Sequence, residues 1–276
     1  MKTLIFSFFL LFIAFAQALA ETESYKDLIE KAQNLILQKD RQQAIQVLLT
    51  GLKQEQKNKV AINELKKKVE ELGSLFLSDK AQQLYETSLS FKRKDISQAQ
   101  NKINEALRIE PDNVQIMTES SRLLILKGDC NSAQDQLSKT YKKNTYDEQI
   151  LLTMAQIQLC LGAVDQYFSI RSHVELKHVN ENPDWMALEL QRMLFEKDKL
   201  KAKERLTALQ KIDPKNPQLF YWQWKLSKIE GEEDVSLVEK YKLNCNNVSA
   251  RIFRTYQRDS YFCNKQTEME NESAKK

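Results

Sequence analysis

The sequence predicts an all-α protein, a solenoid of stacked antiparallel helix pairs, on three observations. The first is a ruler. Short turns recur at Lys94-Asp95, Gly128-Asp129, Gly162-Ala163, Lys197-Asp198 and Gly231-Glu232, in steps of 34, 34, 35 and 34 residues. A period of this length marks a stack of helical units. The second is composition. Only 5 Gly and 4 Pro occur in 276 residues, so helix breakers are confined to a few places. The third is patterning. Between the turns, apolar residues recur at spacings of three and four, which places them on one helical face.

The elements follow in chain order. Residues 1–20 predict a signal peptide: Lys2, an apolar run from Leu4 to Ala16, and a small-x-small cleavage site at Ala18-Leu19-Ala20. Cleavage after Ala20 leaves 41 Lys+Arg against 38 Asp+Glu and no later run long enough to span a membrane. Residues 21–58 predict a helix pair, with Leu28 and Ala32 before the turn Lys39-Asp40 and with Ala44, Leu48 and Gly51 after it. Residues 59–79 interrupt the ruler. Ile62, Leu65, Val69, Leu72 and Phe76 form a narrow apolar seam, which predicts one extra or extended helix rather than a dimerising coiled coil, because the seam lasts only two heptads.

The repeat array then runs over residues 80–250. In 80–113, Ala81, Leu84, Tyr85, Ser88 and Phe91 form the first stripe and Ala99, Ile103, Ala106 and Leu107 the second. The turn lies at Lys92-Arg93-Lys94-Asp95, and Pro111 ends the unit because proline cannot continue a helix. Unit 114–147 keeps Ser121, Gly128-Asp129, Ala133 and Leu137. Unit 148–181 keeps Leu151, Ala155 and Gly162, but its second helix is poor, with Tyr167 and Arg171 at positions suited to small or apolar residues. Unit 183–216 recovers the pattern at Ala202, Leu206 and Asp213-Pro214. Unit 217–250 has Phe220, Trp224 and Gly231 and then decays. Residues 251–276 predict a C-terminal cap followed by a polar, disordered tail from Gln266.

This pattern resembles the tetratricopeptide repeat, on Ala99, Ile103, Ala106 and Pro111 at the family's spacing, and the resemblance covers most of the chain after the leader. It departs from the family at Thr140 and Thr145, where alanine and proline are usual. The resemblance implies a right-handed superhelix whose first helices line a concave groove, and binding of a protein or peptide partner there. It places Gln115, Thr118 and Arg122, then Gln149, Leu152 and Gln156, then Asp184 and Gln191, and then Tyr221, Lys225 and Lys228 in that groove. Cys130, Cys160, Cys245 and Cys263 allow three connectivities, and in an exported chain an even count reads first as disulfides. The stacking that the resemblance implies pairs Cys130 with Cys160, leaving Cys245 with Cys263 to tie the cap to the last repeat.

The residues exclude more chemistry than they support. His173 and His178 are five apart, about 140° around a helix, so they share no metal-binding face. No phosphate loop, nucleophile elbow or zinc spacing occurs, so no catalytic residue, cofactor or metal is expected. The near balance of charge predicts no nucleic-acid partner. The reading is therefore an exported non-catalytic adaptor of the periplasm or cell envelope, or a secreted one. A second reading is a glycan- or peptidoglycan-binding module that stacks sugars on Tyr221 and Trp222; a third is an enzyme without a readable motif. Asn247-Val248-Ser249 and Asn271-Glu272-Ser273 are glycosylation acceptors if the secretory path is eukaryotic.

Overall fold

The computed structural model describes residues 23–247, 263 and 265–273, apart from the single positions 56, 93, 213, 215 and 233. The expected signal peptide, the Val248-Ser249 part of the first glycosylation acceptor and residues 251–262 of the expected C-terminal cap lie outside the described residues. The described chain is helical, in two compact units divided after Leu72.

The first unit holds α1 (Tyr25–Leu37), α2 (Arg41–Gln54) and most of α3 (Lys59–Ser74). Ala32, Ala44, Leu48, Ala61, Leu65 and Val69 are fully buried. Gly51 permits the packing. A Cβ there would lie 2.7 Å from Leu28 and 3.4 Å from Leu65, so the three helices meet where the side chain is missing. The seam residues Leu65 and Val69 are thus core residues of a single extra helix.

The second unit continues with α4 (Asp79–Phe91), α5 (Ile96–Ile109), α6 (Val114–Leu126), α7 (Cys130–Lys143), α8 (Glu148–Cys160), α9 (Val164–Arg171), α10 (Leu176–Glu181), α11 (Pro183–Phe195), α12 (Lys199–Ile212), α13 (Gln218–Glu230), α14 (Ser236–Asn247) and α15 (Gln266–Ser273). Each first helix pairs with the next helix: α4 with α5, α6 with α7, α8 with α9, α11 with α12, and α13 with α14. Ser88 shows how close the pairs come, since its buried hydroxyl donates to the Ala99 carbonyl across the pair at 2.8 Å.

Four of the five ruler turns, and Lys39-Asp40 before them, share one mechanism. Gly128, Gly162 and Gly231 have φ of 81°, 71° and 87°, and Lys39 and Lys197 take the same left-handed region. A residue there lets the last carbonyls of the first helix be satisfied by the two following N–H groups. Gly128 N–H donates to Ile125 and Asp129 N–H to Leu124; Lys197 and Asp198 repeat the pair on Leu194 and Met193. The aspartate then works twice. Its N–H closes one helix, and its carboxylate caps the next by accepting from the residue three positions on. Asp40 accepts from Gln43 at 3.0 Å, Asp129 from Ser132 at 3.1 Å and Asp198 from Lys201 at 3.2 Å. Asp95 caps α5 in the same way, through Gln98 at 2.9 Å.

Ala163 has no carboxylate to offer. Its N–H still closes α8 on Gln158, but α9 begins without a side-chain cap and lasts only eight residues. The poor second helix of this unit is therefore broken into α9 and α10. Tyr167 and Arg171 are not defects in it. Tyr167 is fully buried and donates its hydroxyl to Glu189 at 2.9 Å, and Arg171 lies 3.4 Å from the same carboxylate.

The expected disordered tail is corrected as far as Ser273. Residues 266–273 form α15, and Met269 is fully buried in the core built by α11 to α14. Composition alone suggested a solvated tail; one apolar residue and three glutamates facing lysines hold it in place instead.

Candidate functional site

Successive first helices α6, α8, α11 and α13 pack side by side. Residues one repeat apart therefore come into rows, one of Gln115, Gln149 and Asp184 and another of Arg122, Gln156 and Gln191. All six are half-buried. Leu152 is half-buried between the rows. Thr118 does not belong to an open surface. It is fully buried, and its hydroxyl donates back to the Val114 carbonyl at 2.8 Å. Tyr221 is also withdrawn, at 9% exposure, and its hydroxyl donates to Glu268 of α15 at 2.9 Å.

Lys225 and Lys228 face the same short helix. Lys225 lies 2.7 Å from Glu268 and 3.7 Å from Glu272, and Lys228 lies 2.5 Å from Glu272. Both ammonium groups also stand over the Trp224 ring, 5.2 and 4.7 Å from its centroid. On α14, Lys242 reaches Glu270 at 2.9 Å. The last three of the expected groove residues are thus occupied by the chain itself. Trp222, at 1% exposure, lies in the core with Trp224 and Met269, so neither it nor Tyr221 presents a ring to a sugar.

These contacts set the charge state of the cap. Burial works to raise the Glu268 carboxyl, but the hydrogen bond from Lys225, the charges of Lys265 and Lys225 and the Tyr221 hydroxyl outweigh it and hold Glu268 below its ordinary value of 4.5. Lys242 and Gln266 lower Glu270, and Lys228 lowers Glu272. Burial pushes the Tyr221 hydroxyl up, with Glu268 beside it, and pushes Tyr241 up to about 12. A carboxylate depressed in the fold stabilises it above the unfolded value and loses that contribution as pH falls through the folded one. The cap is therefore fully stabilised above pH 4.5 and loosens below it. Tryptophan emission is expected to shift to the red below that pH before far-ultraviolet helicity falls. Emission that holds until the helices melt would refute the acid-loosened cap.

Both disulfides are present, Cys130–Cys160 with Cα atoms 6.1 Å apart and Cys245–Cys263 at 5.7 Å, within the range for such bonds. The first joins the start of α7 to the end of α8. The second ties the residue range carrying α15 to α14. Among the described residues no group of three His, Cys, Asp or Glu side chains is placed to hold a metal ion, and no helix is long and apolar enough to cross a membrane.

Sequence inspection missed a recurrent polar clamp. A glutamate on an incoming helix meets donors of the unit before it: Glu119 of α6 with Lys92, Glu189 of α11 with Tyr167 and Arg171, and Glu268 of α15 with Tyr221 and Lys225. In this respect α15 stands where the first helix of a further unit would. Stacked antiparallel helix pairs at a period of about 34 residues define the architecture of the second unit. No family model matches the chain, and no curated protein matches it. Among solved structures, a tetratricopeptide repeat protein from Parabacteroides merdae is similar, at 14% identity over 82% of this chain and 79% of that one, with a TM-score of 0.43. In this array of helix pairs, the rows on α6, α8 and α11 are the half-buried part of the expected groove.

Proposed function

We propose that this protein is a non-catalytic adaptor acting outside the cytosol, and that it binds an extended segment of a partner protein along the rows of α6, α8 and α11. The observation that carries the reading is the repeated placement of half-buried amide and guanidinium groups at Gln115, Gln149, Arg122, Gln156 and Gln191 on helices that lie side by side. Amide side chains offer both a donor and an acceptor, which matches the alternating groups of a peptide backbone. A repeat array presents such groups over several units, so the contact surface is extended rather than pocketed. The leader and the two disulfides support an oxidising location. The glycan reading loses support because Tyr221 and Trp222 are buried.

The test is an array of unstructured peptides probed with the purified protein. The triple variant Gln149→Ala, Gln156→Ala, Gln191→Ala is expected to lose at least about tenfold in affinity, equivalent to ~1.4 kcal/mol, while unfolding at the same temperature. Undiminished binding would reject these rows. The mature N-terminus is expected at Glu21, and a native protein that keeps Met1 would reject the export half of the reading.

A further inference from the structure

We infer that the face of α13 formed by Tyr221, Lys225 and Lys228 is a docking site for an acidic helix of a partner protein, with α15 as its resident competitor. The inference does not rest on the extended-peptide reading, since it uses a different helix, the groove positions that α15 covers, and a different ligand chemistry.

The site has a framework within α13 itself. Trp224 carries the ammonium groups of Lys225 and Lys228 over its ring, and Tyr221 lies 6.1 Å away at a tilt of 33°. Cation–aromatic contacts hold the two lysines near fixed positions, which lowers the cost of pairing them with carboxylates. The two lysines sit three residues apart on α13 and so project from one side of it. What fits is a helix with carboxylates one turn apart and an apolar residue beside the first. Glu268, Met269 and Glu272 supply that pattern from α15.

The resident occupant has one apolar anchor and otherwise holds by side-chain contacts at the rim. It has eight residues, too few to be a stable helix alone. Its apolar anchor is the single residue Met269. Its ion pairs join side chains that are about a third exposed, a class of contact that contributes little net stability. Tethering through Cys245–Cys263 supplies what the contacts do not, because it keeps the local concentration of α15 high. A longer acidic helix with the same Glu-apolar-x-x-Glu pattern makes the same bonds with more apolar surface.

A fluorescein-labelled peptide reproducing residues 265–273 tests this by anisotropy on the full chain. In one variant, Glu268→Lys, Met269→Ser and Glu272→Lys unseat α15. In a second, Cys245→Ser and Cys263→Ser untie it and leave its contacts intact. The peptide is expected to bind both at least about tenfold more tightly than it binds wild type. Adding Lys225→Glu and Lys228→Glu should abolish that gain, and so should a peptide with the same composition and scrambled order. Absence of binding to the untied variant, or equal binding of the scrambled peptide, overturns the docking site. Dimerisation of the untied variant through its own α15 would make a second copy the occupant and overturn the partner assignment.

Discussion

Replacing Lys92 by methionine is expected to destabilise the protein by about 3–5 kcal/mol, the range for removing one partner of a buried ion pair. The Lys92 side chain is 1% exposed, and its ammonium lies 2.9 Å from a Glu119 carboxylate that is 2% exposed. Methionine keeps the length of the side chain and removes the charge. Glu119 is then left as a buried anion that has lost its nearest cation, and desolvation of a carboxylate costs far more than a lost surface contact. A second substitution, Glu119→Leu in the same chain, should restore most of the loss, since both buried charges are gone. Urea unfolding of the two single variants and the double variant measures the cycle. A loss below ~1 kcal/mol for Lys92→Met would place the pair at the surface and contradict the packing of α6 on the turn after α4.

That pair also marks where sequence reading stops. Lys92 reads as the first residue of a charged turn, and no local pattern singles out Glu119. Nothing in their spacing of 27 positions records that the stack brings them together. The turns were legible because their physics is local. A left-handed residue followed by aspartate ends one helix and caps the next within five residues, and Gly128-Asp129 and Lys197-Asp198 display that in order. The same locality explains the weak unit, since Ala163 visibly lacks the carboxylate. The compensation was not legible, because Tyr167 finds Glu189 from 22 residues away. Thr118 was placed in the groove by counting helical positions, but a short hydroxyl that bonds Val114 within its own helix fits where a neighbouring helix covers it. The reading of a disordered tail fails for a related reason. Three glutamates and one methionine look solvated until Lys225, Lys228 and Lys242 are set opposite them.

Removing the Cys130–Cys160 bond as Cys130→Ala with Cys160→Ala is expected to cost about 3–4 kcal/mol in the chain-entropy account of a loop of this length. The sequence separation is 30 residues, against 18 for Cys245–Cys263, so the first bond restrains the longer segment of unfolded chain. The loss should not be spread evenly. Cys160 is the last residue of α8, and the uncapped eight-residue α9 follows after three intervening residues. In a repeat array each unit leans chiefly on its neighbours, so a unit with a weak helix opens first when its tie to the preceding unit is cut. Amide exchange is therefore expected to accelerate most across 161–182, while α4 and α5 keep their protection. The outer segments hold because their own caps, Ser78 on α4 and Asp95 on α5, are intact. Exchange that rises equally in all units would mean that the array unfolds as one block and that the bond restrains only the unfolded chain. Exchange unchanged in 161–182 would mean that Tyr167, Arg171 and Glu189 alone hold the weak unit, and that the bond adds nothing to it.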